Sequence, residues 1–151
     1  MDHHFYMGEA LAEAEKAFTL GEIPIGAVVV EGERIIARAG NRRETWGDPT
    51  AHAEIIALRE AARVRGNWRL TGITLYVTLE PCPMCAGALV QARVKRLVYG
   101  APDLRAGAVD SVVNLVENSS FNHQVEVISG IREEECRQLL KRFFQQLRRD
   151  G

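Results

Sequence analysis

The chain has 151 residues, a formal net charge of −1 and 46% hydrophobic residues. That length suits one compact domain, residues 1–151, and is too short for two of ordinary size. A nearly neutral chain does not coat nucleic acid by bulk electrostatics, so any RNA binding must be focused on one surface. No stretch approaches the roughly 20 apolar residues that a membrane span needs.

In chain order, Met7, Leu11, Ala14 and Phe18 recur at helical spacing, predicting a helix over 5–20 with Gly21 as its stop. A β-branched run at 26–30, a turn at 31–33 and a second run at 34–38 read as a hairpin. Residues 41–50 look like a loop, and Asp48-Pro49-Thr50 announces a helix that Ile55, Leu58, Ala62 and Val64 carry to about residue 65. A strand at 73–78 leads to Pro81-Cys82-Pro83, which opens a helix running to about residue 92. A strand at 96–99, a short helix at 110–116, a strand at 125–128 and a long helix at 131–149 complete the chain. This alternation implies an α/β fold in three layers, a mixed five-stranded sheet covered by helices on both faces, with the last two strands parallel.

The opening Met1-Asp2-His3-His4 lacks the basic-then-apolar profile of a secretory signal, and His3 and His4 read as loose surface residues. Three cysteines do not make an even disulfide framework; a cytoplasmic protein is expected, in which a close Cys pair points to metal.

Two segments carry the chemistry: Thr50-Ala51-His52-Ala53-Glu54 and Pro81-Cys82-Pro83-Met84-Cys85. Cys-x-x-Cys places two sulfurs within one helical turn, which suits a tetrahedral ion. Pro83 costs nothing at the first helical position, and Cys82 at the helix start gains from exposed N–H groups that favour its thiolate. His52 and Glu54, two apart, face one centre only if their helix begins at about His52. Two helix N-termini are therefore expected to converge on one metal. His52, Cys82 and Cys85 make three protein ligands, one short of a closed structural site, so a water takes the fourth position and becomes acidic. Glu54 is placed to move protons to and from it. A structural Cys3His site would need Cys136, which instead falls on the apolar stripe of the last helix; a redox Cys pair would not come with His-x-Glu.

His-x-Glu followed by Pro-Cys-x-x-Cys resembles the signature of zinc-dependent nucleobase deaminases. The likeness is wider than that. The segments 48–54 and 78–88, Gly21-Glu22-Ile23-Pro24-Ile25-Gly26-Ala27-Val28, Phe121-Asn122-His123 and the last helix with Phe143-Phe144 resemble the bacterial tRNA-specific adenosine deaminases. The resemblance implies a cytidine-deaminase-like fold, one zinc per subunit, a homodimer, and conversion of adenosine to inosine at the first anticodon position of an arginine tRNA. It implies that Asn41 hydrogen-bonds the target nucleoside and that Asp103 and Arg105 belong to a loop touching RNA near it.

Without the family, the last helix reads in two ways. Leu139, Phe143, Cys136, Leu147 and Leu140 fill one apolar stripe at 100° per residue, with Phe144 at its edge beside Arg137, Arg148 and Lys141. This is either a base-stacking aromatic flanked by phosphate-binding cations or an ordinary amphipathic helix. His123 either contacts a neighbouring nucleotide or caps its own loop. The runs Arg63/Arg65/Arg69 and Arg93-Val94-Lys95-Arg96 read as solvated surface. An unpaired anticodon loop lets a target base turn out into a pocket at modest cost. The rivals are a deaminase of free guanine, cytosine or nucleosides, and a catalytically silent zinc module that binds RNA.

Overall fold

The computed structural model describes residues 1–150. The first helix, α1 (His3–Thr19), is capped by Asp2, whose side chain accepts a hydrogen bond from Phe5 N. It starts two residues earlier than the periodicity predicts. His3 is correspondingly held rather than loose, its Nδ1 lying 2.7 Å from the Tyr76 hydroxyl. Strands β1 (Gly26–Glu31) and β2 (Arg34–Gly40) form the expected hairpin. The stretch 41–50 is not all loop, because it contains one short helix, α2 (Arg43–Trp46). Then follow α3 (Ala53–Arg65), β3 (Thr74–Leu79), α4 (Pro83–Gln91), β4 (Arg96–Ala101), β5 (Glu126–Ile128) and α5 (Glu133–Asp150).

The sheet order is β2-β1-β3-β4-β5; β1 runs antiparallel to both neighbours, while β3, β4 and β5 are mutually parallel. Two-residue alternation divides each strand between two cores. Ala27 and Val29 face α3 and α4, with Ala57, Leu58, Ala61 and Leu89. Val28 and Val30 face α1 and α5, with Met7, Ala10, Cys136 and Leu139. The result is the three-layer mixed sheet that the alternation implies. On α3 the buried stripe is Ala53, Ala57, Leu58 and Ala61, whereas Val64 is exposed, so small residues set that packing. The α1 backbone lies so close to β1 that a Cβ at Gly26 would stand 2.0 Å from the Ala10 carbonyl oxygen.

Residues 110–116 form turns, not the short helix their apolar spacing suggests. The N–H groups of Asp110 and Ser111 bond the Glu80 carboxylate, and those of Val112, Val113 and Leu115 bond the carbonyls of Gly107 and Ala108, more than four residues back. Among the described residues no helix is long and apolar enough to cross a membrane.

Candidate active site

The strand register sets Gly40, Leu79 and Ala101 at one end of the sheet, so the segments that leave β2, β3 and β4 emerge together. Ligands in open α/β sheets collect beyond the carboxyl ends of strands. Here that end gathers Asn41 after β2, Glu80 to Cys82 after β3, and Pro102 to Ala106 after β4.

His52 is the N-cap of α3 and Cys82 the N-cap of α4, both with extended backbone, and Pro83 occupies the first turn of α4. The ligand atoms of these two N-caps and of Cys85 all lie within 4.8 Å of one another, around a common centre. His52 Nδ1 lies 3.6 Å from Cys82 Sγ and 3.5 Å from Cys85 Sγ. A tetrahedral ion with sulfur at about 2.3 Å and nitrogen at about 2.0–2.1 Å sets an N···S separation of about 3.5 Å. The group is thus spaced to hold a metal ion, and His52, Cys82 and Cys85 are the one such cluster among the described residues. Cys136 sits in the core on the other face of the sheet.

Glu54, in the first turn of α3, is buried. Burial pushes its carboxyl up to about 7, and the nearby Cys82 sulfur adds to the rise against opposing hydrogen bonds. The Cys85 hydrogen bond holds the Cys82 thiol down at about 5 despite its partial burial, aided by backbone N–H groups at the helix start and by His52. Cys85 moves the opposite way, raised by its bond to Cys82 and by burial. A bound cation would favour the thiolate form of both sulfurs.

Above this centre opens a cavity of ≈ 780 Å³. His52, Glu54 and Cys82 lie in its wall together with Asn41, Asp103, Arg105, Phe144 and Arg148. Asn41 is buried, its N–H donating to the Ile25 carbonyl. Asp103 accepts hydrogen bonds from the N–H groups of Arg105 and Ala106, which folds that loop into a tight turn. His123 lies outside the lining: its Nε2 is 2.7 Å from the Val94 carbonyl oxygen. Of the cations flanking Phe144, only Arg148 reaches the cavity; Arg137 pairs with Glu133 and Glu134, and Lys141 borders a different groove.

The apolar stripe of α5 divides into two ridges. Cys136, Leu139 and Phe143 are buried, while Leu140, Phe144 and Leu147 form a second row facing the cavity. Phe143 supports Phe144 edge-on, ring centroids 5.5 Å apart. Sequence reasoning did not assign Leu140 and Leu147 to the site, although a stripe that wide exceeds what one contact buries. It also missed Arg43, Leu104 and Glu80.

The chain matches the family described as MafB19-like deaminase over residues 1–148. It is 54% identical over 144 residues to the tRNA-specific adenosine deaminase of Bacillus subtilis, covering 95% of this chain and 89% of that protein. The chain belongs to the tRNA-specific adenosine deaminase family. Another member, from Haemophilus influenzae, is 52% identical, with 95% of this chain and 84% of that protein covered. A solved structure from work on A-to-I editing by tRNA:A34 deaminases superposes with a TM-score of 0.86 at 47% identity, covering 89% of this chain and 98% of that one. One cavity wall brings His52 and Cys82 together with the Glu54 carboxyl.

Proposed function

We propose that this protein converts adenosine to inosine at the first anticodon position of a tRNA, an arginine tRNA among its substrates, by hydrolytic deamination that releases ammonia. The observation that carries the reading is the single cavity joining His52, Glu54 and Cys82 to the rim residues Asn41, Asp103, Arg105, Phe144 and Arg148. Relatives at 52–54% identity are tRNA-specific adenosine deaminases.

Two sulfurs and an imidazole are a donor set suited to zinc, and one zinc ion per subunit is the proposed cofactor, held by His52, Cys82 and Cys85. When bound, it supplies Lewis acidity that makes water a nucleophile near neutral pH. Glu54 accepts a proton from the attacking water and passes it to adenine N1, then carries the proton of the added hydroxyl to the leaving amine, so adenosine and water become inosine and ammonia. Asn41 holds the target nucleoside by hydrogen bonding. Phe144 offers an exposed ring for stacking a flanking base, while Arg105 and Arg148 meet phosphates. Asp103 shapes the wall beside the target. His123, tied to Val94, anchors its turn to the link between α4 and β4. The working unit is one deaminase domain assembled as a cytoplasmic homodimer.

Incubation with total tRNA, followed by sequencing for adenosine-to-guanosine changes, tests the proposal. A change at the first anticodon position supports it. Turnover of free guanine or cytidine with no change in tRNA overturns it.

A further inference from the structure

Three carboxylates line the cavity, Glu54, Glu80 and Asp103. Only the first has a place in the proton transfers. Glu80 is 2% exposed and stands on the link between β3 and α4, two residues before Cys82. Its Oε1 accepts hydrogen bonds from Asp103 N (3.0 Å) and the Ser111 hydroxyl. Its Oε2 accepts three more, from Val109 N (3.1 Å), Asp110 N (2.8 Å) and Ser111 N (2.9 Å). A carboxylate has about four lone-pair sites. Five donors saturate it, leaving nothing for a substrate atom or a travelling proton.

The donors all come from 103–111, a stretch without helix or strand. Buried N–H groups there would otherwise be unpaired, a state that folded chains avoid. The rest of the loop closes around the same anchor. Gly107 N donates to Asp103 O, Ala108 N to Pro81 O, and the Tyr99 hydroxyl to Asp110 Oδ2 at 2.6 Å. Gly107 leaves the space that the carboxylate fills. The front of this loop, Pro102 to Ala106, is the cavity wall opposite α5.

We propose that Glu80 is a positioning residue for RNA: its carboxylate holds the Asp103–Ala106 wall in the shape that receives the substrate, without taking part in the chemistry. The proposal rests on the tRNA-editing reading above. It makes Glu80 the joint between the metal-bearing link and the substrate-facing loop, since its backbone belongs to one and its side chain to the other.

Glu80→Gln tests this sharply. The amide oxygen can replace Oε2 and keep three donors, and the Ser111 hydroxyl can rotate to accept from the new NH₂. Asp103 N–H then faces a donor and is released. With metal-loaded protein and an anticodon stem-loop bearing adenosine at its first position, KM is expected to rise roughly tenfold, the scale of one lost charge-assisted hydrogen bond. The kcat should stay within about threefold, with metal content unchanged and faster amide hydrogen exchange at Asp103, Arg105 and Ala106. Ser111→Ala, which removes one hydroxyl donor, should shift KM and exchange in the same direction by less, and it decides the matter if Glu80→Gln does not fold. Unchanged KM with a collapsed kcat, or unchanged exchange over 103–106, overturns the proposal. If the unaltered protein forms no inosine, the functional reading fails, and the exchange measurement still decides whether Glu80 anchors the loop.

Discussion

A Cβ at Gly107 would stand 2.3 Å from the Glu80 carboxyl carbon and 2.5 Å from the Asp103 carbonyl oxygen. Neither neighbour is the loose end of a flexible side chain, because Glu80 is bound at both oxygens. Gly107→Ala should therefore act as overpacking and destabilise the protein by about 1–3 kcal/mol. Thermal unfolding measures it. Unaltered stability would mean that the 103–111 loop is softer than its hydrogen bonds imply.

Phe144 is 41% exposed and rests edge-on against buried Phe143. Phe144→Ala should weaken binding of the anticodon stem-loop by about 1–3 kcal/mol, the value of one stacking platform, and leave metal content and Tm nearly unchanged. RNA titration beside a melting curve separates the possibilities. A fall in Tm with intact RNA affinity would make the ring a core residue.

Glu22 is fully buried and binds the start of α2 through Glu44 N, Thr45 N and the Thr45 hydroxyl. Burial alone would raise its carboxyl, but the hydrogen bonds from Thr45 and Glu44, with the charge of Arg42, outweigh burial and hold it below the usual carboxylate range. A depressed folded-state value adds stability above the unfolded carboxyl value of about 4.3; that stability is lost as pH falls through the folded value. The Tm gap between the unaltered protein and Glu22→Gln should be full at neutral pH and narrow progressively below about pH 4. A gap that stays constant or widens in acid contradicts this.

Stripping the metal with a chelator should abolish deamination while the sheet and its two apolar cores persist, since no ligand belongs to a strand or to either core. Circular dichroism should retain its helical and strand signal, and added zinc should restore activity. Cys82→Ser should lose both the metal and the rescue. Global unfolding on chelation would show instead that the ion is structural.

The metal group was legible because its ligands sit in short local motifs at helix starts, where Pro83 and the His52–Glu54 spacing fix what can face the centre. The strands were legible from β-branched runs such as Ala27–Val30. What escaped was held from a distance. Val112, Val113 and Val116 have helical spacing, yet Val112 N and Val113 N bond the Gly107 carbonyl and Leu115 N that of Ala108, more than four residues back. Glu80, roughly 30 residues away in the chain, ties down the N–H groups of Asp110 and Ser111. Glu22 holds α2 in the same manner. Local pattern registers neither carboxylate, because each acts through hydrogen bonds between segments far apart in sequence. Leu140 and Leu147 escaped for a different reason: apolar periodicity does not distinguish a core ridge from one lining a cavity.

Glu54 is the proposed proton carrier of a metal-assisted deamination. Single-turnover inosine formation by metal-loaded Glu54→Ala, on a stem-loop with adenosine at the first anticodon position, tests it most directly. The variant should keep full metal occupancy while its rate falls roughly 10²–10⁴-fold, the contribution of a positioned acid–base group. A near-normal rate in that variant would contradict it.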